Sequence, residues 1–226
     1  IGSNNLFTHF TSLSGTLNKF SYYTFVNYKK GNGFRPNSKF NSINLYSFWK
    51  YSFNDKLDIT SEITYMNYLT QQAGGLTDQM FSNNILQSNR SRNWFEVNWL
   101  LFNTKLLYRL TEKTKFSLSL YGLDAGRNSI GYRTNRVNQA DLGGVRDLIK
   151  GDFRNSGIES KILHRYKLFD KSTAFVLGFK YYRSKNKSSQ GPGSDNNDAD
   201  FEFYTSDFQY YNCLLYTSDA ADECDS

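Results

Sequence analysis

The chain has 226 residues, 27 Lys plus Arg against 21 Asp plus Glu, and a formal charge of +6. Its mean hydropathy of −0.63 leaves no run of ~20 apolar residues, so a membrane-spanning helix is excluded. A membrane-spanning strand is not excluded, because it needs only about ten residues with every second one apolar.

In chain order, Leu6–Ser14 reads as a first, weak strand, ended by Gly15-Thr-Leu-Asn18. Lys19–Lys29 sets Phe20, Tyr22, Thr24, Val26 and Tyr28 on one side. A loop of turn formers, Lys30 to Ser38, follows. Ile43–Phe53 sets Ile43, Leu45, Trp49, Tyr51 and Phe53 against Asn44, Lys50 and Ser52. After the tight turn Asn54-Asp-Lys56, Leu57–Leu69 returns with Asp58, Thr60, Glu62 and Thr64 on its polar side. Thr70 to about Asn93 is a long polar loop.

The clearest signal is in Trp94–Asp124. Leu100, Phe102, Thr104, Leu106, Tyr108 and Leu110 share one parity, and after Thr111-Glu-Lys-Thr114 so do Phe116, Leu118, Leu120 and Gly122. Period-two alternation on both sides of a short turn predicts a hairpin. The longest predicted loop runs from about Ala125 to Asn155. Ser156–Phe169 and Thr173–Arg183 form another hairpin around Asp170-Lys-Ser172. A Ser/Asn/Asp/Gly-rich loop, Ser184–Asp200, precedes a possible ninth strand at Phe201.

Such alternation fits either a soluble sandwich, which buries the apolar face against a second sheet, or a membrane barrel, which gives it to lipid. Connection lengths decide. Short turns near 15–18, 54–56, 111–114 and 170–172 alternate with loops near 30–42, 70–93, 125–155 and 184–200. Outer-membrane barrels sort their connections this way, with short periplasmic turns and long external loops. Both prolines, Pro36 and Pro192, fall in the long loops, and charge is nearly absent from the apolar side of the strands. The expected fold is therefore all-β, an antiparallel up-and-down transmembrane barrel. It is partial, with about eight or nine strands of a larger barrel, and 1–212 form one barrel domain. The start at Ile1 carries neither an initiator Met nor a signal peptide, which predicts a fragment.

Both cysteines lie at the C-terminus, and Cys213–Glu223 resembles a translated sequencing adapter. Residues 213–226 are thus expected to be a non-native tail, with the natural sequence ending near Asn212. Without it no cysteine remains for a disulfide or a Cys-based metal site. His9 and His164 are far apart in sequence, Gly74-Gly75 and Gly143-Gly144 match no phosphate loop, and Ser91 and Ser129 lack a triad context. No enzyme signature, resident cofactor, metal site or nucleic-acid partner is expected. Asp58 and Glu62 share a face and are expected to line the lumen.

Several segments carry a family resemblance: Gly15-Thr-Leu-Asn-Lys-Phe-Ser-Tyr-Tyr-Thr24, Gly31-Asn-Gly-Phe-Arg-Pro-Asn-Ser38, Ala73-Gly-Gly-Leu-Thr-Asp78, Ser88-Asn-Arg-Ser-Arg-Asn-Trp-Phe95 and Arg146-Asp-Leu-Ile-Lys-Gly-Asp-Phe-Arg-Asn155. Tyr181-Tyr-Arg-Ser-Lys-Asn186, Gln190-Gly-Pro-Gly-Ser194 and Asp198-Ala-Asp-Phe201 add to it. In order and spacing, 1–212 resembles the barrel of TonB-dependent outer-membrane receptors, and is most similar to the ferric-dicitrate type of Bacteroidetes-like bacteria. The resemblance implies the first third of a plugged barrel of ~22 strands. It implies import of a ferric chelate, with TonB acting through a plug domain missing from this chain. The expected location is the outer membrane of a Gram-negative bacterium, with lipid and lipopolysaccharide around it.

Loop arginines suit an anionic cargo, because guanidinium forks pair with carboxylates. Arg90, Arg92, Arg127, Arg133 and Arg136 are the candidate ligand-binding residues, with Arg35 in the same class. Arg90, Arg92 and Arg127 lead because they sit near strand ends. The competing reading pairs these arginines with lipopolysaccharide phosphates or with loop acids such as Asp78, Asp141 and Asp147. Two other functions stay open: import of a different cargo, such as another siderophore, a cobalamin or an oligosaccharide, and a non-transport barrel, such as an adhesin or porin.

Overall fold

The computed structural model describes residues 1–134, 136–194 and 199–204. The 213–226 tail and any strand beyond Tyr204 lie outside the described residues.

Eight strands follow one another in chain order: β1 (Phe7–Leu17), β2 (Phe20–Gly31), β3 (Phe40–Asn54), β4 (Leu57–Gln71), β5 (Trp94–Arg109), β6 (Thr114–Gly131), β7 (Arg146–Leu168) and β8 (Lys171–Gly193). Each pairs antiparallel with the next, in a single up-and-down sheet of order β1 to β8. A short helix, α1 (Asp78–Asn83), sits in the β4–β5 loop, where the Thr77 side chain accepts from the Met80 N–H at its start.

The register explains the alternation. One row runs Gly15, Tyr22, Trp49, Ser61, Thr104, Leu120, Ile158, Tyr181 across all eight strands. Its neighbour on the opposite face runs Thr16, Ser21, Lys50, Thr60, Lys105, Ser119, Glu159, Lys180. The first row has no charge and the second has four, because adjacent residues of a strand point to opposite faces. On the first face no Asp, Glu, Lys or Arg occurs between Leu57 and Leu69, Asn98 and Tyr108, Thr114 and Gly122, or Thr173 and Tyr181. That face is nonetheless open: Phe179 is 63% exposed, and Leu177, Phe175, Leu120 and Phe102 are exposed too. Toward the long loops the same face turns charged, at Asp124, Arg154, Arg183 and Lys185.

The short turns are tight. Asn18 takes a left-handed φ of 52° in the two-residue turn between β1 and β2. Phe169 and Asp170 both do so at the β7–β8 turn, with φ of 47° and 61°. Two consecutive positive φ values match the right-handed twist of flanking strands.

Two loops are shorter than expected. The 125–155 loop shortens, because β6 continues to Gly131 and β7 begins at Arg146. The 184–200 loop shortens likewise, with β8 reaching Gly193. In these extensions polar residues fall on both faces and the few apolar ones, Ile130, Leu148, Ile149 and Phe153, do not keep a period of two, so the alternation signal vanishes while the backbone ladder goes on. The first strand also runs to Leu17, so Gly15 is in the sheet and the turn is Asn18-Lys19. Glycine there leaves room for the Tyr22 ring, whose hydroxyl would lie 2.9 Å from an added Cβ.

Candidate ligand-binding site

The long loops gather at one end of the sheet, and arginines hold them together. Arg35 of the β2–β3 loop donates to the Gly74 carbonyl at 2.7 Å and to Gln87 O at 3.4 Å, both in the β4–β5 loop. Arg90 is 5% exposed and donates to Asn89 O (2.6 Å) and, in the β6–β7 loop, Gln139 O (3.1 Å). Its guanidinium also lies 5.3 Å from the Tyr132 ring centroid. Arg92, 4% exposed, donates to the carbonyl and hydroxyl of Ser194 at 2.7 and 3.2 Å. Buried guanidinium groups need several acceptors, and the carbonyls of turning backbone supply them.

A carboxylate completes the weld. Asp141 lies 2.9 Å from Arg146, both side chains 4% exposed. It accepts from the backbone N–H of Ser91 and Gly143 at 3.0 and 3.1 Å and from the Ser91 hydroxyl at 3.1 Å. Arg146 in turn donates to the Ser91 Oγ at 2.8 Å. Burial pushes the Asp141 carboxyl up, but the Ser91 and Gly143 N–H groups and the Arg146 charge outweigh it and hold the group below the usual carboxylate range.

The structure thus separates the predicted arginines. Arg90 and Arg92 are buried within the loop cluster. Arg127 is exposed on the polar face of β6, in the row Val97, Arg127, Gly151, Ser188. Arg133 and Arg136 are exposed on the β6–β7 loop. A cavity of about 400 Å³ opens between the two largest loops, lined by Ser88–Ser91 and by Asn138–Asp141. Sequence reasoning named Asp141 among the loop acids that could pair with the candidate arginines, and gave Arg146 no role. Charge alone did not mark them as a buried pair.

The polar face carries its own network. Glu62 accepts from the Tyr46 hydroxyl at 3.1 Å and from the Asn103 amide at 3.0 Å. Beside it is a recess of about 480 Å³ bordered by Leu101, Tyr121 and Tyr182, the last two stacked at 6.4 Å. Gly157 permits this: an added Cβ would lie 2.5 Å from the Tyr121 ring. Nearer the short turns, Asp58 accepts from Ser52 at 2.7 Å and from Arg109 at 2.8 Å, with Lys50 at 3.6 Å. No group of three or more His, Cys, Asp or Glu is placed to hold a metal among the described residues. His164 lies on the apolar face beside the β5–β6 turn and contacts Thr114 at 2.9 Å.

No protein-family model and no curated protein matches the chain. Solved structures do. The ferric citrate transporter FecA, in its unliganded form, aligns with a TM-score of 0.75 and 16% identity over 89% of this chain. FpvA of P. aeruginosa, solved with heterologous pyoverdines, gives 0.71 and 12% over 95%. BauA, the ferric preacinetobactin receptor of Acinetobacter baumannii, gives 0.64 and 7% over 92%. The chain spans 29%, 31% and 35% of those proteins, about a third of their length. The eight antiparallel strands therefore have the fold of a stretch of those receptors' barrels.

Proposed function

We propose that the chain is part of a TonB-dependent outer-membrane importer of ferric chelates, with ferric citrate the first candidate cargo. The observation that carries this reading is the charge-free apolar row crossing all eight strands, backed one residue away by a charged row. A soluble protein would cover such a face; in a bilayer it meets hydrocarbon, and the charged face lines a bore. Asp124, Arg154, Arg183 and Lys185 then stand at the level of outer-leaflet headgroups, where lipopolysaccharide phosphates are available. The likeness to barrels of three iron-chelate receptors supports the same class, and the work of import would come from TonB through a plug domain.

In this reading the loop end is the external mouth. Arg127, Arg133 and Arg136 present exposed charge to an anionic cargo. Arg90 and Arg92 serve binding from behind, by fixing the loops that carry the exposed arginines.

The test is ligand binding to the purified product of the complete gene. Ferric citrate should bind more tightly than uncharged sugars, and Arg127→Ala should weaken it by about tenfold, the loss of one charge-assisted contact of ~1.5 kcal/mol. Arg90→Ala should weaken it as well, but with faster hydrogen exchange in residues 136–145. Equal affinity for citrate complex and sugars would remove the ferric-chelate reading.

A further inference from the structure

The cavity among the loops plays no part in the capture of an anion. Its walls come from three loops: β2–β3 at Asn37, β4–β5 at Gln87–Ser91 and β6–β7 at Asn138–Asp141. These walls are tied to one another. Asn37 donates to Arg90 O at 2.7 Å, Arg90 to Gln139 O at 3.1 Å, and the Ser91 N–H to Asp141 at 3.0 Å. The hollow of about 400 Å³ is therefore bounded by this chain's own loops, beyond the ends of the strands. Its chemistry is that of amides. Gln87, Asn89, Asn138 and Gln139 line it with carboxamides, and Ser88 and Ser91 with hydroxyls. Gln87 spends its Nε2 on the Met80 and Asn84 carbonyls, which leaves its Oε1. Gln139 spends its Oε1 on the Thr134 hydroxyl, which leaves its Nε2. The Asn138 amide has no hydrogen-bond partner among the described residues, and Asn89 Oδ1 is buried without a donor. A buried acceptor with no donor carries a free-energy cost that an incoming hydroxyl removes. The two ionic groups on the lining are already engaged: Asp141 is paired with Arg146, and Arg90 donates to the Asn89 and Gln139 carbonyls.

We infer that this cavity is a saccharide site. It takes a neutral sugar residue, whose hydroxyls both donate and accept and so match the free ends of Gln87, Asn138 and Gln139. Its volume is in the range of small-molecule sites. An anion is disfavoured, because the Asp141 carboxylate forms part of the wall. A peptide finds no sheet edge to extend and no apolar socket, since among the described residues Met80 and Ala140 are the only apolar side chains on the lining. The exposed Arg127, Arg133 and Arg136 lie outside the lining, so the sugar site stands whether or not the barrel imports ferric chelates.

The experiment uses the complete receptor in micelles of a detergent without a sugar headgroup, with wild type, Ala140→Phe and Asn138→Ala compared. Ala140→Phe fills the cavity and removes no side-chain hydrogen bond, and heat-modifiable gel migration shows which variants are folded. The probes are glucose, galactose, mannose and N-acetylglucosamine, with citrate and tri-alanine as controls, read by saturation-transfer difference NMR. At least one sugar should receive saturation from wild type and lose it in Ala140→Phe. No transfer to any of these sugars in wild type overturns the site, and so does equal transfer from Ala140→Phe. Transfer to citrate or tri-alanine alone, abolished by Ala140→Phe, overturns the saccharide assignment. Should Ala140→Phe fail to migrate as a folded barrel, Asn138→Ala decides: sugar binding about threefold weaker, the loss of one neutral hydrogen bond, supports the site, and unchanged binding overturns it. Ferric citrate titrated into the same wild-type sample reads the importer proposal separately.

Discussion

Asp141 shows how one side chain can join two loops. Its oxygens collect the backbone N–H and hydroxyl of Ser91, fifty residues away, together with the Gly143 N–H and the Arg146 guanidinium from its own neighbourhood. Because these partners hold its pKa below the ordinary value, its contribution to stability is complete above about pH 4, the unfolded carboxyl range, and disappears as the pH falls through the lower folded value. Hydrogen exchange of residues 136–145 should therefore accelerate on acidification below about pH 4, and Asp141→Asn should show fast exchange already at pH 7. An acid-independent exchange rate in wild type would exclude this role. The sequence offered Asp141 as one of several acids a loop arginine could pair with, but neither Arg146 as its partner nor the N–H groups around it. Loop arginines look alike as letters, and only the fold tells Arg90, which is buried against carbonyls, from Arg127, which is exposed on a strand. What separates them is the path of the loops, and no local pattern encodes it.

At the level of the strand, the reading from sequence was close where the two faces differ chemically. The hairpin β5–β6 keeps the predicted parity through Leu100–Tyr108 and Phe116–Gly122, with Leu106 facing Leu118 and Tyr108 facing Phe116 across the ladder. The signal failed where polar residues occur on both faces, at Ala125–Gly131, Arg146–Asn155 and Ser184–Gly193, because backbone hydrogen bonds extend a strand without asking what its side chains are. The face assignment has a direct mutational consequence. Leu118→Arg places a charge in the apolar belt and should cost ~2–4 kcal/mol in urea unfolding from phospholipid vesicles. Ser119→Arg, one residue further and on the charged row, should cost less than about 1 kcal/mol. Similar costs for the two would mean that the faces do not differ in environment.

Across the molecule, charge is sorted in two directions at once. Through the sheet, it passes from an uncharged face to one with a lysine row. Along the strands, the apolar face gains Asp124, Arg154, Arg183 and Lys185 only toward the long loops. A bilayer imposes both gradients, with hydrocarbon against the middle of one face and headgroups at its edge. Each neighbour in the sheet is also the next strand in sequence, so the whole fold forms from hairpins, and the short turns at Asn18-Lys19, Asp55-Lys56 and Phe169-Asp170 set its register.

The outermost strands give this arrangement a polymer's appetite. β1 has a partner only in β2, and β8 runs beside β7 with one isolated bridge, Gly193 to Phe203, on its far flank. Apart from the bonds that Glu202 and Tyr204 make with Ser194 and Pro192, both flanks offer rows of backbone donors and acceptors that no strand among the described residues satisfies, and such rows recruit an extended chain of matching length. Refolded by itself in detergent, residues 1–204 should run as ladders of dimers and higher species in crosslinked gels. A proline at Thr11, in the middle of β1, should shorten those ladders. Sharp monomer bands at micromolar concentration would show instead that the two flanks seal against one another.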